Sequence, residues 1–151
     1  MQRVTSTQEG AVVALEEVSN TLWKERELLE QLLFKLEEEL ALLRSGSSRW
    51  LAWGGEEIKR VLAQLERAED ARRIAWEALA ADFGLPADAP LKAFINKTAF
   101  PWNSILTEHQ RALNTTAREI EETAADERLA PFGAQHATRA LTWLRPHALV
   151  A

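Results

Sequence analysis

Hydrophobic positions repeat with helical spacing along the first third of the chain. They recur at alternating intervals of three and four residues, with two glutamates filling slots in the same pattern: Leu15, Val18, Leu22, Glu25, Leu29, Leu32, Leu36, Glu39 and Leu43. This spacing places one stripe on one face of a helix. Ser6 and Glu9 stand in the capping-box arrangement that marks a helix start. We therefore predict a first helix over residues 6–44.

A short polar turn separates this helix from a second one. Residues 45–48 read SGSS, in which Gly46 suits a left-handed C-cap and either serine that follows can cap a new helix. The stripe then resumes and ends before Gly84 and Pro86, at Leu51, Ile58, Val61, Leu65, Ala68, Ala75 and Leu79. We predict a second helix over residues 47–83, antiparallel to the first, because four residues suffice for a helical hairpin.

The rest of the chain predicts a Pro-rich connection and a third long helix. Residues 84–100 form the connection, with one short helix between Pro90 and Thr98, and residues 101–145 form the third helix. The stripe keeps one phase through this helix: Trp102, Leu106, His109, Leu113, Ile120, Ala124, Ala134, Ala137, Leu141 and Leu144. Pro131 and Gly133 interrupt it, so we expect a kink or a break near residue 131.

The predicted fold class is therefore all-α. It is a single domain over residues 1–151, in which a long antiparallel helical hairpin carries a third long helix packed along it. Such a coiled-coil-like bundle can close its seams within one chain or between chains. The sequence is thus compatible with a monomer and with a homo-oligomer.

Composition narrows the classes of partner and of chemistry. The net charge of −5 argues against nucleic acid and anionic membranes, which attract clustered Lys and Arg. The absence of cysteine excludes disulfides, thiolate metal sites and a thiol nucleophile, and it fits a reducing cytoplasm. We expect neither a secretory signal nor a membrane-spanning helix, because no apolar run is long enough.

Candidate catalytic groups do not form a recognisable site. A carboxylate-bridged metal bundle needs Glu-x-x-His, but Leu106 and Gly133 precede His109 and His136 at that spacing. His109 lies on the apolar stripe and is expected to be a core histidine. The acidic run at residues 37–39 points in different directions on a helix and is expected to be solvated. We predict no catalytic residue, no metal, no cofactor and no enzyme activity.

Six tryptophans and no tyrosine are an unusual aromatic balance. Trp102 lies on a stripe and is expected in the core. Four aromatic residues lie off the stripes, and Trp143 is beside one; the four are Trp23, Phe34, Trp53 and Trp76. The simpler interpretation is that a third helix widens the buried face and these residues pack there. The alternative is an exposed apolar groove that takes a partner helix.

Three segments carry a resemblance to a known family. They read LWKERELLEQLLFKLEEELALL, GSSRWLAW and EIKRVLAQL, and they resemble the FlgN family of bacterial flagellar export chaperones. The resemblance covers residues 15–85 and extends more weakly over residues 101–113. It includes the continuous LLFKLEEE stretch, with RWLA following at the corresponding distance.

The resemblance implies a cytoplasmic helical protein that is not an enzyme. It further implies binding of hook-associated proteins, which form the hook–filament junction, and their delivery to the flagellar type III export apparatus. In this family the later part of the chain is associated with client binding. The candidate anchors at helical spacing there are Ile120, Leu129, Phe132, Leu141 and Leu144. They would hold an amphipathic client helix mainly by hydrophobic burial.

Two other readings remain open from the sequence. The same stripes suit a structural coiled-coil protein that associates with itself and has no client. A helical bundle can also carry an enzyme, although the missing Glu-x-x-His pairs argue against this reading.

Overall fold

The computed structural model describes the backbone of residues 2–131 and 133–144, and the side chains of residues 9–131, 133–142 and 144. Over these residues the chain is helical and has no strand, which confirms the predicted all-α class. Five α-helices follow one another in the described part: α1 (Gln2–Arg44), α2 (Leu51–Phe83), α3 (Leu91–Lys97), α4 (Trp102–Ala124) and α5 (Ala134–Leu144).

The turn between α1 and α2 has the local chemistry that its sequence predicts. Gly46 has φ 74°, a left-handed conformation that glycine adopts without a Cβ clash. The amide of Ser47 donates to the carbonyl of Leu42 at 3.0 Å, so the last turn of α1 is capped. A 3₁₀ turn, Ser48–Trp50, then leads into α2. The turn reverses the chain and sets the two long helices antiparallel.

The start of α1 differs from the predicted position. The helix begins at Gln2 rather than at Ser6, so the capping-box residues lie inside it. Serine and threonine favour helix starts, but they are also tolerated within a helix. A local capping signal therefore marks a position where a helix can begin, but this helix begins four residues earlier.

The core lies where α1, α2 and α4 meet, and it contains the predicted stripe of α1. Within that stripe Leu22, Leu29, Leu32 and Leu36 are fully buried. Leu106, Leu113 and Ile120 of α4 pack into the same cluster. The 3-4 spacing read from the sequence thus closes the seam within this chain.

The predicted third helix is two helices. Residues 125–133 separate α4 from α5 and contain a 3₁₀ turn, Glu127–Leu129. The carboxylate of Asp126 accepts from the amide of Arg128 at 2.9 Å and so caps this turn. Pro131 follows at once and cannot supply a helical amide bond. The chain therefore breaks here rather than kinks, although α5 keeps the expected inward phase.

The Pro-rich connection is tied to one end of the hairpin. The indole nitrogen of Trp76 donates to the carbonyl of Ala89 at 2.8 Å, and the Trp76 and Phe94 rings meet edge to face at 4.9 Å. Gly84 ends α2 in a left-handed conformation, with φ 65°. The short helix α3 occupies Leu91–Lys97, as the residues between Pro90 and Thr98 predict.

Candidate functional site

The predicted client anchors are buried against the chain itself. Ile120 and Leu129 are fully buried, and Leu141 and Leu144 are 5% and 3% exposed. Phe132 lies outside the described residues. The structure therefore buries four of the five predicted anchors within the chain. Ile120 lies on α4, and Leu129, Leu141 and Leu144 belong to the C-terminal segment, which we define as residues 125–144.

Polar contacts hold the C-terminal segment onto the hairpin at two points. At its start, Arg44 of α1 donates to the carboxylate of Asp126 at 3.1 Å. Near its end, the guanidinium of Arg139 lies 3.7 Å from Glu66 of α2. Both pairs are partly exposed, and such pairs contribute only a few tenths of a kcal/mol to about 1 kcal/mol. Apolar burial therefore supplies most of the attachment.

Between these two points, the backbone of the C-terminal segment passes close to α1 at Gly133. A Cβ on Gly133 would lie 2.8 Å from Leu36 Cδ2 and 3.0 Å from Glu39 Oε2. Glu39 is buried, and within the described structure its Oε2 atom has no hydrogen-bond partner. Burial raises the pKa of the Glu39 carboxyl, because the ionised form loses its hydration. The C-terminal segment thus covers one polar group that water would otherwise solvate.

A buried ion pair crosses the hairpin. Arg72 Nε donates to Glu25 Oε1 at 2.7 Å, and both side chains are almost fully buried. Burial raises the pKa of the Glu25 carboxyl, while the charge of Arg72 acts in the opposite direction. Glu25 and Arg72 each occupy a slot in a hydrophobic stripe of antiparallel helices. Two polar residues in facing core slots are the sequence signal for this pair, and the signal is visible only when the stripes of the two helices are aligned antiparallel.

His109 is a core histidine, as its position on the stripe predicts. Its Nε2 atom lies 2.9 Å from the Ser19 hydroxyl, and its Nδ1 atom lies 3.2 Å from Arg26. The indole of Trp23 meets the imidazole edge to face at 5.1 Å. Burial, assisted by the charge of Arg26, lowers the pKa of His109 to about 4. The imidazole is therefore neutral at pH 7 and serves as a hydrogen-bonding link between α1 and α4.

The off-stripe aromatic residues divide into two groups. Trp76 is buried, so the packing interpretation is right for it. Trp102, which lies on the stripe, is partly buried and packs against the core. Trp23, Phe34 and Trp53 are 54%, 59% and 65% exposed, so for them it is wrong. The Trp143 side chain lies outside the described residues. The helical phase of each aromatic residue separates the two groups only when the position of α4 against α1 is also known.

The described residues offer no cluster of His, Asp or Glu side chains that could hold a metal ion. Over the same residues, no helix combines the length and hydropathy that a membrane span requires.

Taken together, the described part of the chain is a long helical bundle with a short terminal helix packed on it and exposed aromatic side chains, and exposed aromatic side chains suit contacts with other proteins. The sequence matches the FlgN protein family over residues 14–139, and the chain belongs to that family. This is a family of flagellar export chaperones and not a family of enzymes. Comparison with curated proteins and comparison with solved structures each gave no match.

Proposed function

We propose that this chain is a cytoplasmic chaperone for hook-associated proteins, which form the hook–filament junction, and that it delivers them to the flagellar type III export apparatus. Membership of the FlgN family over residues 14–139 is the observation that carries the proposal. The family match spans the candidate anchors Ile120, Leu129 and Phe132 and ends just before Leu141 and Leu144.

The anchors reach a client when the C-terminal segment leaves the hairpin. In the free chain the apolar face of α5 packs on α2 and α4, and a client helix would replace these contacts with equivalent ones. The helix α5 has 11 residues, and isolated helices of that length are marginal in water. Its helical state therefore depends on packing, either against its own hairpin or against a client.

The connection preceding α5 supports this exchange. The described residues of this connection, 125–131 and 133, contain a 3₁₀ turn and no α-helix, so movement of α5 does not require a long helix to bend. The two ion pairs that fix the segment are partly exposed and weak. Recognition would then follow the helix-in-groove mode, in which apolar anchors at helical spacing supply most of the affinity.

A reversible cross-link tests both the function and the exchange. The chain has no cysteine, so Glu66→Cys with Arg139→Cys introduces the only two thiols, at positions whose side chains lie 3.7 Å apart. A reducible bis-maleimide then fastens α5 to α2. The matched control is Asp70→Cys with Arg73→Cys, which cross-links two exposed residues within α2.

Each protein is co-expressed or mixed with the junction proteins of its own genome and analysed by size exclusion with light scattering. We expect a defined complex with the unmodified chain and with the cross-linked control. The Glu66–Arg139 cross-link should abolish it, and reduction should restore it. Binding that survives this cross-link would rule out the exchange. No complex with any junction protein, together with a tight self-dimer, would instead favour the structural coiled coil.

A further inference from the structure

A groove runs along the outer side of α1 beside α4, away from α5. Three open cavities of about 460, 400 and 440 Å³ follow one another along it, from Trp23 at one end to Asp126 at the other. We call this the α1–α4 groove and define it by the residues lining these cavities. No residue of α5 is among them, but Asp126, at the start of the C-terminal segment, lines the last cavity, so the groove reaches the beginning of that segment and stops short of α5.

The rim of the groove on α1 has its own helical repeat. Exposed residues recur there at alternating spacings of four and three residues: Trp23, Glu27, Glu30, Phe34 and Glu37. All of them except Phe34 line the cavities, and Phe34 lies beside the groove at the same helical phase. This is the spacing of a coiled-coil seam. Trp23 and Phe34 are more than half exposed and stand three helical turns apart, about 17 Å. A helix lying along this face would therefore meet one aromatic side chain within the groove and one at its edge.

The charges of the groove are not balanced within the chain. Three of its cations are paired with carboxylates of the groove: Lys24 with Glu27, Arg44 with Asp126 and Arg111 with Glu108. Four other carboxylates that line it have no cationic partner among the described residues: Glu30, Glu37, Glu119 and Glu122. A fourth cation, Arg26, lies over the Trp23 ring at 4.0 Å. The groove is thus lined by seven carboxylates and four cations, and the acidic excess lies on the wall opposite α1, because the α1 wall has three of each.

We propose that the α1–α4 groove binds an amphipathic, cationic helix of a second protein. Apolar side chains of that helix would cover Trp23 and Phe34, and its Lys and Arg side chains would pair with the four carboxylates. The charge complementarity selects this occupant. A second copy of the chain would bring the same acidic face and a net charge of −5, and an anionic surface would be repelled. The residues that line the groove include neither α5 nor the candidate client anchors.

The probe is a fluorescently labelled peptide of about 18 residues, long enough as a helix to reach from Trp23 to Glu37, which lie about 21 Å apart along α1. It carries Leu at seam positions and Lys at flanking positions; its counterpart carries Glu in place of every Lys. Anisotropy measured with the full chain should show binding of the Lys peptide that weakens as salt is raised. Binding of the Glu peptide with equal affinity would overturn the proposal, as would no binding of the Lys peptide.

Two variants locate the binding. Glu30→Lys with Glu37→Lys should weaken the Lys peptide by about tenfold or more, because it replaces two attractions with repulsions. Asp70→Lys with Glu77→Lys makes the same charge change on exposed positions of α2 and should bind almost as well as the natural chain. Equal losses in the two variants would mean attraction to net charge alone, which would overturn the proposal.

Phe34→Ala tests the aromatic contact without touching the core, since this ring is 59% exposed. We expect the Lys peptide to bind several-fold more weakly to it. An unchanged affinity would contradict a helix bound against Phe34 and would overturn the proposal.

Light scattering on the free chain tests the remaining occupant, a second copy of the chain. A dimer that Glu30→Lys with Glu37→Lys abolishes would assign the groove to a second copy and overturn the proposal. The groove variant should still bind junction proteins, so failure of this inference is distinguishable from failure of the proposed chaperone function.

Discussion

At the scale of residues, the side chains that matter most are polar groups in an apolar seam. Glu25 and Arg72 face each other across the hairpin with almost no exposure. A buried pair is weak support for stability in itself, but breaking one is costly because a charge is left without its partner.

Replacing one member of this pair should destabilise the chain strongly. We expect Arg72→Leu to lower the free energy of unfolding by about 3–5 kcal/mol, because Glu25 would remain buried and ionisable. Glu25→Leu with Arg72→Leu should recover most of the loss, since two apolar side chains suit the seam. Urea unfolding followed by circular dichroism measures both. Arg73→Leu, on an exposed pair, is the control, and an equal cost there would contradict the expectation.

The neutral His109 should make stability depend on pH. Its pKa is about 4 in the folded chain against an ordinary value of 6.5, so between these values the unfolded chain binds a proton that the folded chain excludes. Stability is therefore fully present above pH 6.5 and is lost as pH falls toward 4, by up to about 3 kcal/mol. The groups facing the imidazole are Ser19, Trp23 and Arg26.

His109→Gln should remove this part of the pH dependence. Unfolding of the natural chain and of the variant is compared at intervals from pH 7.5 to about pH 4.5. The buried carboxyls of Glu25 and Glu39 have raised pKa values and act in the opposite direction, but they do so in both proteins. The difference between the two curves therefore isolates His109. Parallel curves across the whole range would refute the assignment.

At the scale of elements, the glycines of α2 have opposite roles at its two ends. Gly55 lies within the helix, and a Cβ added there meets nothing within 4 Å. Gly84 ends the helix with φ 65°, a conformation that costs other residues free energy. The same substitution at these two positions should thus change stability in opposite directions.

We expect Gly55→Ala to raise the free energy of unfolding by about 0.5–1 kcal/mol, through lower backbone entropy of the unfolded chain. Gly84→Ala should lower it by about 1 kcal/mol, because alanine is strained in the left-handed region. Thermal unfolding monitored by circular dichroism compares the two variants with the natural chain. A loss of stability in Gly55→Ala would show that this first part of α2 contacts something more closely than the structure has it.

Local patterns were sufficient to predict most of these elements. The SGSS turn, the ends set by Gly84 and Pro86, and the short helix before Thr98 all depend on interactions within a few residues. The stripe also continued in phase across Pro131, but phase cannot distinguish a kink from a break. The break depends on Asp126 capping a 3₁₀ turn and on Gly133 passing close to Leu36, and the second of these is a tertiary contact.

At the scale of the whole molecule, the sites were harder to predict than the fold. An apolar residue at a seam position looks the same whether it meets its own chain or a partner. The stripe therefore predicts Ile120 and Leu141 as client anchors, but it does not indicate that they are covered within the chain. Trp23 and Phe34 were recognised as lying off the stripe, but their exposure depends on where α4 lies against α1.

The two proposed surfaces would let one molecule hold two partners together. The C-terminal segment packs against α2 and α4, whereas the α1–α4 groove follows the outer side of α1. A client helix and a cationic helix could therefore be bound in the same complex without competing for one site. The FlgN family functions in flagellar export, and a chain that binds two partners at once would suit the transfer of a client from one protein to the next.

The short connection at residues 125–133 has a consequence for how tightly any client can be held. In the proposed exchange, α5 would be a competitor tethered to the surface it covers, at an effective concentration on the order of millimolar. Each 1.4 kcal/mol by which the closed arrangement is favoured would lower the apparent affinity for the client about tenfold. When a client begins to dissociate, rebinding of α5 would block its return. The proposed exchange would thus set both an upper limit on client affinity and a direction for release.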